Sequence, residues 1–236
     1  EAIYSFPVPK SASLSEISLW VDGQEIIGEV IEKEKAREIY DHFGLSADLL
    51  QETFEDLPRW MDIYETEYGR KGFREIRWLW YHLKGKIFSL GRLQFERSVY
   101  NGPFKVYRKD SETVILAPED LRTDSDGYPD EDGNQLTVFR QHDGSVTGHP
   151  VTPDGRINPE TVHLSGGWKL ALKKGDNILS FHIPSSGPMD YQECLDSFYR
   201  AKDFFTRHFY QEYYNCFYIH SWLMDGQLAD KLKPES

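Results

Sequence analysis

The sequence predicts an α+β fold, in which a helical N-terminal subdomain precedes a mixed, mainly antiparallel sheet with one β–α–β unit near the end. Over residues 29–85, apolar residues recur at steps of three and four, as on helix faces. From residue 86 the pattern changes to short runs rich in β-branched and aromatic residues. Residues 177–226 then combine an apolar run, a glycine-containing turn, a long amphipathic stretch and a second apolar run.

Residues 1–28 mix apolar alternation with turn signals, and this pattern does not separate helix from strand. Residues 29–85 are predicted to form three amphipathic helices joined by short links. Gly44 is a plausible C-cap of the first helix, and Ser46 can cap the next one. Pro58 predicts a kink or a new helix start. Residues 1–86 are therefore expected to form a helical N-terminal domain.

The strands are predicted from the following segments, with residues 120–163 expected to be a long excursion with irregular loops. A long run over 87–100 contains Gly91 as a candidate bulge. Two hairpins are predicted at 104–108 with 113–116 and at 168–172 with 178–183, and 136–140 is one further strand candidate.

The β–α–β unit contains the most informative local chemistry of the chain. A strand is predicted at 177–184, a turn at 185–189, a helix at 190–209 and a second strand at 215–224. Asp190 suits the helix N-cap. A whole helix joins the two strands, so we expect them to be parallel or splayed neighbours.

Composition restricts the function classes. The net charge is −12 and the pI about 5.1. Nucleic acids and anionic membrane surfaces need a basic footprint, so neither is an expected partner. Cys194 and Cys216 have no zinc or disulfide-scaffold spacing. No run reaches the roughly 18 apolar residues of a membrane span. The chain begins at Glu1 without Met, so we expect that an N-terminal portion is missing; a cytoplasmic location is the default expectation.

The turn at 185–189 is a candidate anion site. A strand–turn–helix unit directs free backbone N–H groups and the positive end of a helix dipole to one place. The amides near Ser185, Ser186 and Gly187 could hold a pyrophosphate. Asp190 and Glu193 place negative charge at the same helix start and compete with that interpretation.

Several side chains are candidates for chemistry, each with a structural alternative. His182 lies at a strand end beside the turn and suits a general base, or a histidine that only bonds the backbone. Ser221 follows His220 without the G-x-S-x-G elbow of a hydrolase nucleophile. Two loop histidines, His142 and His149, do not supply the convergent ligands of a metal site. An acidic string at 124–132 resembles a calcium loop in composition but lacks its spacing.

Several stretches carry a family resemblance: 88–95, Phe181-His182-Ile183-Pro184, Gly187-Pro188 leading into Cys194 and Ser197, Phe204-Phe205, and 220–225. On these stretches the chain resembles a bacterial family of acyltransferase-domain proteins, which have a helical N-terminal part and a GNAT-like C-terminal domain. The resemblance implies a GNAT-like domain over residues 87–236. In that fold two splayed strands admit the pantetheine arm of acyl-CoA, and the turn after the fourth strand binds the pyrophosphate.

The resemblance implies an acyl-CoA-dependent N-acyltransferase, with acetyl-CoA or another acyl-CoA as cosubstrate. The acceptor would be an unknown amine, on a small molecule or a protein. The expected cofactor-binding residues are Ile183, Ser185, Ser186 and Gly187. His182 is the expected base, and Ser221 the expected donor of a proton to the thiolate.

Two other readings stay open. In typical GNAT enzymes the turn carries an Arg/Gln-x-x-Gly-x-Gly/Ala signature, whereas here the turn has one glycine and Pro188, which lacks an amide. That departure favours a non-catalytic GNAT-like module that binds or senses a ligand. A hydrolase using Ser221 is the third reading.

The aromatic helices around Trp60, Trp78 and Trp80 could form a homodimer interface, although packing on the sheet is favoured.

Overall fold

The computed structural model describes residues 19–21, 24–26, 33–70 and 73–221. The chain divides into two compact units, each built from two chain segments. The first contains residues 1–98 and 179–213, and the second contains residues 99–178 and 214–236. The predicted division of the chain at residue 86 stays a prediction. The fold class is α+β, as expected.

The helices within the described ranges all belong to the first unit. They are α1 (Lys33–His42), α2 (Ala47–Phe54), α3 (Asp56–Tyr68), α4 (Ile76–Leu83) and α5 (Tyr191–His208). The strands of the described residues are β1 (Leu19–Val21), β2 (Gln24–Ile26), β3 (Ile87–Leu90), β4 (Leu93–Val99), β5 (Lys105–Lys109), β6 (Glu112–Leu116), β7 (Arg122–Thr123), β8 (Gln135–Leu136), β9 (Phe139–His142), β10 (Ser145–Gly148), β11 (Val162–Leu164), β12 (Lys169–Leu172), β13 (Asn177–His182) and β14 (Phe217–Tyr218).

The helix boundaries follow from local capping chemistry. Gly44 takes a positive φ of 65° after α1, as the C-cap prediction requires. The Ser46 hydroxyl accepts the amide of Leu49 at 3.1 Å and caps α2. Pro58 lies in the first turn of α3, where its missing N–H costs nothing, so it marks a new helix as one of the two predicted options. The described residues between 33 and 83 therefore form four helices, whereas three were predicted.

The sheet of the first unit begins with a tight hairpin of β3 and β4. The register pairs Leu90 with Leu93, and Gly91 has a φ of 86°. The predicted bulge at Gly91 is therefore wrong: the long run over 87–100 is two strands, because the positive φ reverses the chain. β13 lies on the other side of β4 in this sheet.

An aromatic cluster around Phe88 forms the core of the first unit. Phe88 is fully buried, and its ring centroid lies 5.0 Å from Phe204, 5.6 Å from Phe209 and 5.7 Å from Tyr40. These rings come from β3, α1, α5 and the residue that follows α5. Ring pairs at this spacing stabilise a core beyond their buried area, so the cluster holds α1 and α5 on the sheet.

The second unit contains two three-stranded antiparallel sheets, with strand orders β12-β5-β6 and β11-β10-β9. The predicted hairpin of β5 and β6 is confirmed. The hairpin predicted between 168–172 and 178–183 is wrong, because β12 pairs with β5 instead. The intervening turn uses its backbone elsewhere: the Gly175 amide donates to the Tyr100 carbonyl, and the Tyr100 amide donates to the Asp176 carbonyl, both at 2.9 Å.

Residues 120–163 are more ordered than the sequence indicates. The single strand candidate at 136–140 is replaced by β7, β8, β9 and β10, with β11 beginning at Val162. Aspartates shape the turns between them: Asp124 Oδ1 accepts the amides of Asp126 and Tyr128 at 2.9 Å. Asp124 of the acidic string at 124–132 therefore has a structural role in a turn.

The helix predicted at 190–209 is confirmed as α5, and the strand predicted after it is shorter than expected. The strand expected at 215–224 is β14 over two residues within the described part, which ends at residue 221. β14 lies next to β13 in the strand order. Residues 177 and 178 of β13 belong to the second unit, as β14 does. The Asn215 side chain bonds the Ala171 carbonyl at 2.7 Å and Asp176 at 2.9 Å, which holds the chain just before β14.

Candidate functional site

His182 and Glu96 lie within hydrogen-bonding distance of each other in the first unit. His182 Nε2 lies 3.1 Å from Glu96 Oε2. The Glu96 side chain is 10% exposed and that of His182 is 35% exposed, so the carboxylate is buried while the imidazole remains reachable. A carboxylate in this position orients an imidazole and stabilises the charge that it acquires on taking a proton.

Strand alternation explains why these two side chains meet. On β13, Phe181 points to α5, where its ring centroid lies 5.0 Å from that of Phe198. On β4, Phe95 contacts the same Phe198 ring at 5.7 Å. The next residue on each strand faces the opposite side of the sheet, which places Glu96 and His182 together.

Trp78 of α4 covers His182 on that side of the sheet. The two rings meet edge to face, with centroids 4.7 Å apart. The Trp78 indole N–H donates to Asp56, a residue only 4% exposed. The same carboxylate accepts from Arg59 at 2.6 Å and from the Trp60 indole at 2.9 Å. Asp56 therefore fixes the ring that packs on His182.

Two further titratable side chains of α4 flank the pair. Burial, with a smaller contribution from the negative charge of Glu96, raises the pKa of Tyr81. Burial lowers the pKa of His82, which is fully inaccessible. His82 Nδ1 lies 2.7 Å from the Trp78 carbonyl, which only accepts, so Nδ1 carries the proton.

The turn between β13 and α5 is exposed and retains free donors. The amides of Ser185, Ser186 and Gly187 make no protein hydrogen bond within the described residues. Asp190 accepts the Glu193 amide at 2.9 Å, as its predicted capping role requires. The acidic cap thus occupies a helix amide and leaves the three turn amides available.

Arg92 holds this turn from the tip of the β3–β4 hairpin. Its Nη2 donates to the Gly187 carbonyl at 2.7 Å and its Nε donates to the Pro188 carbonyl at 2.8 Å. Its Nη1 is buried and has no partner among the described residues. Three free amides beside the positive charge of a fixed arginine suit a diphosphate, so the residues present fit the pyrophosphate of a coenzyme A.

The structure brings some predicted site residues together. His182 ends β13, and Ile183, Ser185, Ser186 and Gly187 follow it directly in the same unit. Ser221 is half-buried and belongs to the second unit.

The sequence prediction missed Glu96, Arg92, Asp56 and Trp78. One signal pointed to Glu96, a charged residue within the predicted strand run over 87–100 that would need a partner if buried. Arg92 carried no such signal.

The other candidates have structural roles or no partners of the required kind. His149 Nδ1 accepts the Val138 amide at 3.3 Å, and the exposed His142 lies beside Asp143 at 2.9 Å. Among the described residues, no group of three histidine, cysteine or acidic side chains could hold a metal ion. No helix in the described ranges is long and apolar enough to span a membrane.

The fold and the turn define a GNAT-like domain preceded by helices. The model of the GNAT-like C-terminal domain matches residues 87–236, and that of the N-acyltransferase N-terminal domain matches residues 34–85. The first match covers more than half of the chain, which therefore belongs to the family of the GNAT-like C-terminal domain. The vault protein inter-alpha-trypsin domain model matches residues 1–58, which overlap the second match.

Solved structures with a similar fold are those of an acyltransferase in several complexes. One holds decanoyl-CoA and teicoplanin, at 20% identity, a TM-score of 0.53 and coverage of 88% of this chain. A mutant holds octanoyl-CoA, at 20% identity, a TM-score of 0.54 and the same coverage. In both comparisons this chain spans 42% of the length of the other protein. A search of curated proteins found no match.

Proposed function

We propose that this chain is the donor-binding part of an acyl-CoA-dependent N-acyltransferase. The turn amides of Ser185, Ser186 and Gly187, with the adjoining Ile183 backbone, bind the coenzyme A end of the donor. His182 is the general base, and Glu96 positions it. The observation that carries the proposal is the His182–Glu96 pair beside a turn with free amides. His182 lies three residues before Ser185, the first of the turn residues whose amides are free.

The proposed reaction transfers an acyl group from sulfur to nitrogen. The amine nitrogen forms a bond to the thioester carbonyl carbon, and the carbon–sulfur bond breaks. His182 takes the proton that the amine loses and returns it to the departing thiolate, so the imidazole ends the cycle neutral. Glu96 stabilises the imidazolium between these steps. Ser221 stays a prediction and has no step in this scheme.

The acyl group is the finer part of the proposal. Acetyl is the group that the family resemblance implies, while the similar structures hold octanoyl-CoA and decanoyl-CoA. We therefore propose an acyl-CoA donor with acetyl as the first candidate. A series of acetyl-, octanoyl- and decanoyl-CoA, each with the same panel of amines, ranks them by kcat/KM.

Substitution of His182 tests the chemical role. We expect His182→Ala to lower kcat by about 100-fold, within the usual range for loss of a general base, and to leave the Kd for coenzyme A unchanged. Glu96→Gln should lower kcat less, because the amide keeps the contact but loses the charge. The measurement is thiol release under steady-state conditions, beside calorimetry of coenzyme A binding.

The matched control is His142→Ala, since the His142 side chain is 84% exposed in the second unit. Unchanged turnover in the His182→Ala variant would remove His182 from the mechanism. Saturable binding of coenzyme A without transfer to any amine of the panel would favour the binding or sensing module, which Pro188 and the single glycine of the turn support.

A further inference from the structure

We propose that Arg92 is the positioning residue of the donor site: it fixes the exposed turn before α5 so that the free amides form one anion-binding surface. This inference rests on the proposed function. Arg92 and the turn are about 95 residues apart in the sequence, so only the fold reveals their contact.

The guanidinium group bonds two successive carbonyl oxygens of the turn. Nη2 and Nε are donors of one rigid planar fork, and they reach Gly187 and Pro188 at 2.7 and 2.8 Å. A planar fork fixes the direction of both peptide groups, which one ammonium cannot do. Gly187 has a φ of 155°, which glycine adopts without strain among many alternatives, so the two hydrogen bonds from Arg92 restrict the turn to this conformation.

Arg92 is itself anchored to the start of α5. Its backbone N–H donates to Ser197 Oγ at 2.8 Å, and that hydroxyl donates to the Glu193 carbonyl at 2.8 Å. Ser197 is fully buried. Gly91 permits this approach, because a Cβ there would lie 2.9 Å from Ser197 Oγ. The hairpin tip, the turn and the first turns of α5 are thus joined through one residue.

Arg92 also changes the electrostatics of the turn. Asp190 and Glu193 bring two negative charges to the helix start of a chain whose net charge is −12. A fixed guanidinium beside the turn offsets part of that charge, and because its Nη1 is buried, it acts through its charge and not by touching the ligand. The free amides and the charge of Arg92 therefore both favour a phosphate-containing ligand at this turn.

The first test compares coenzyme A with pantetheine, which lacks the phosphates, by calorimetry. We expect Arg92→Ala to weaken coenzyme A binding about tenfold, the change that loss of one ordinary hydrogen bond produces, and to leave pantetheine binding unchanged. Arg92→Lys should recover part of the affinity, because it retains the charge but not the fork.

The control variant is Arg207→Ala, which removes the same charge near the other end of α5. Arg207 is 73% exposed and lies in the last turn of this 18-residue helix, which is about 27 Å long. Its affinity for both ligands should equal that of the wild type. An equal loss of coenzyme A and pantetheine binding in Arg92→Ala would overturn the proposal.

A second readout needs no ligand. The heteronuclear ¹⁵N NOE of the Ser185, Ser186 and Gly187 amides should fall in Arg92→Ala, because the turn loses its two fixed carbonyls. Unchanged NOE values with unchanged coenzyme A affinity would overturn the proposal. If the wild type binds no coenzyme A, the proposed function fails, while the NOE still decides whether Arg92 holds the turn. If Arg92→Ala does not fold, Arg92→Lys and Ser197→Ala provide both readouts.

Discussion

Asp56 shows how single buried residues support the site. Its carboxylate accepts from Arg59, Trp60 and Trp78 while almost fully buried. Hydrogen bonds to a charged group contribute roughly 1.5–3 kcal/mol each, so this cluster compensates for burying the charge. The packing of Trp78 on His182 follows from that fixed indole.

His82 should make the stability of the chain depend on pH. Its folded-state pKa lies below the ordinary value of 6.5 because the ring is buried. Below pH 6.5 the unfolded chain therefore binds more protons than the folded one. The His82 contribution is complete above that pH and is lost as the pH falls, by up to about 1.4 kcal/mol per pH unit.

The measurement is urea unfolding of the wild type and of His82→Gln between pH 7 and pH 5. We expect the free energy of unfolding of the variant to fall less steeply, since glutamine does not titrate. His142→Gln is the exposed control. A variant with the same slope as the wild type would show that another group causes the pH dependence.

The sequence singled out His182 and the turn amides as candidates because both follow from local patterns, a strand end and a turn before a helix. It could not locate their partners. Glu96 meets His182 across 86 residues and Arg92 meets the turn across about 95, and no spacing rule connects positions so far apart. Their contacts depend on the order of strands in the sheet.

At the scale of elements, the turn and α5 combine a helix cap with the proposed anion site. Asp190 caps the helix, but its charge opposes a bound phosphate. Serine also caps well and is neutral. We therefore expect Asp190→Ser to bind coenzyme A about two- to fivefold more tightly, since one charge at a helix start contributes ~0.3–1 kcal/mol.

Calorimetry at low salt measures this change, and the gain should shrink as salt screens the charge. Asp203→Ser is the control, because Asp203 is 83% exposed in the second half of the same helix and its loss changes the net charge equally. An unchanged or weaker affinity in Asp190→Ser would contradict a phosphate site at this turn.

Elements set by local chemistry were predicted well, whereas of the two predicted hairpins only β5–β6 is confirmed. The α5 cap and the Ser46 cap are confirmed, because a side chain and an amide three residues apart decide them. The β12–β13 hairpin was wrong, since its turn bonds Tyr100 and β12 pairs with β5. Short apolar runs do not encode which neighbour they pair with.

At the scale of the whole molecule, the proposed donor site and base lie in the first unit, which two distant chain segments build. The chain spans 42% of the length of the similar acyltransferase. Acyl transfer by this chain is therefore a proposal. The homodimer, the cytoplasmic location and the role of Ser221 remain predictions.

The central claim is that the turn before α5 binds the coenzyme A end of an acyl donor. Calorimetric titration of the wild-type chain with coenzyme A, paired with its thermal unfolding, tests it most directly. The account predicts one saturable site and a higher Tm. At a coenzyme A concentration of a hundred times Kd, the free energy of unfolding should rise by about 2.7 kcal/mol. No heat of binding and no change in Tm at millimolar coenzyme A would contradict it.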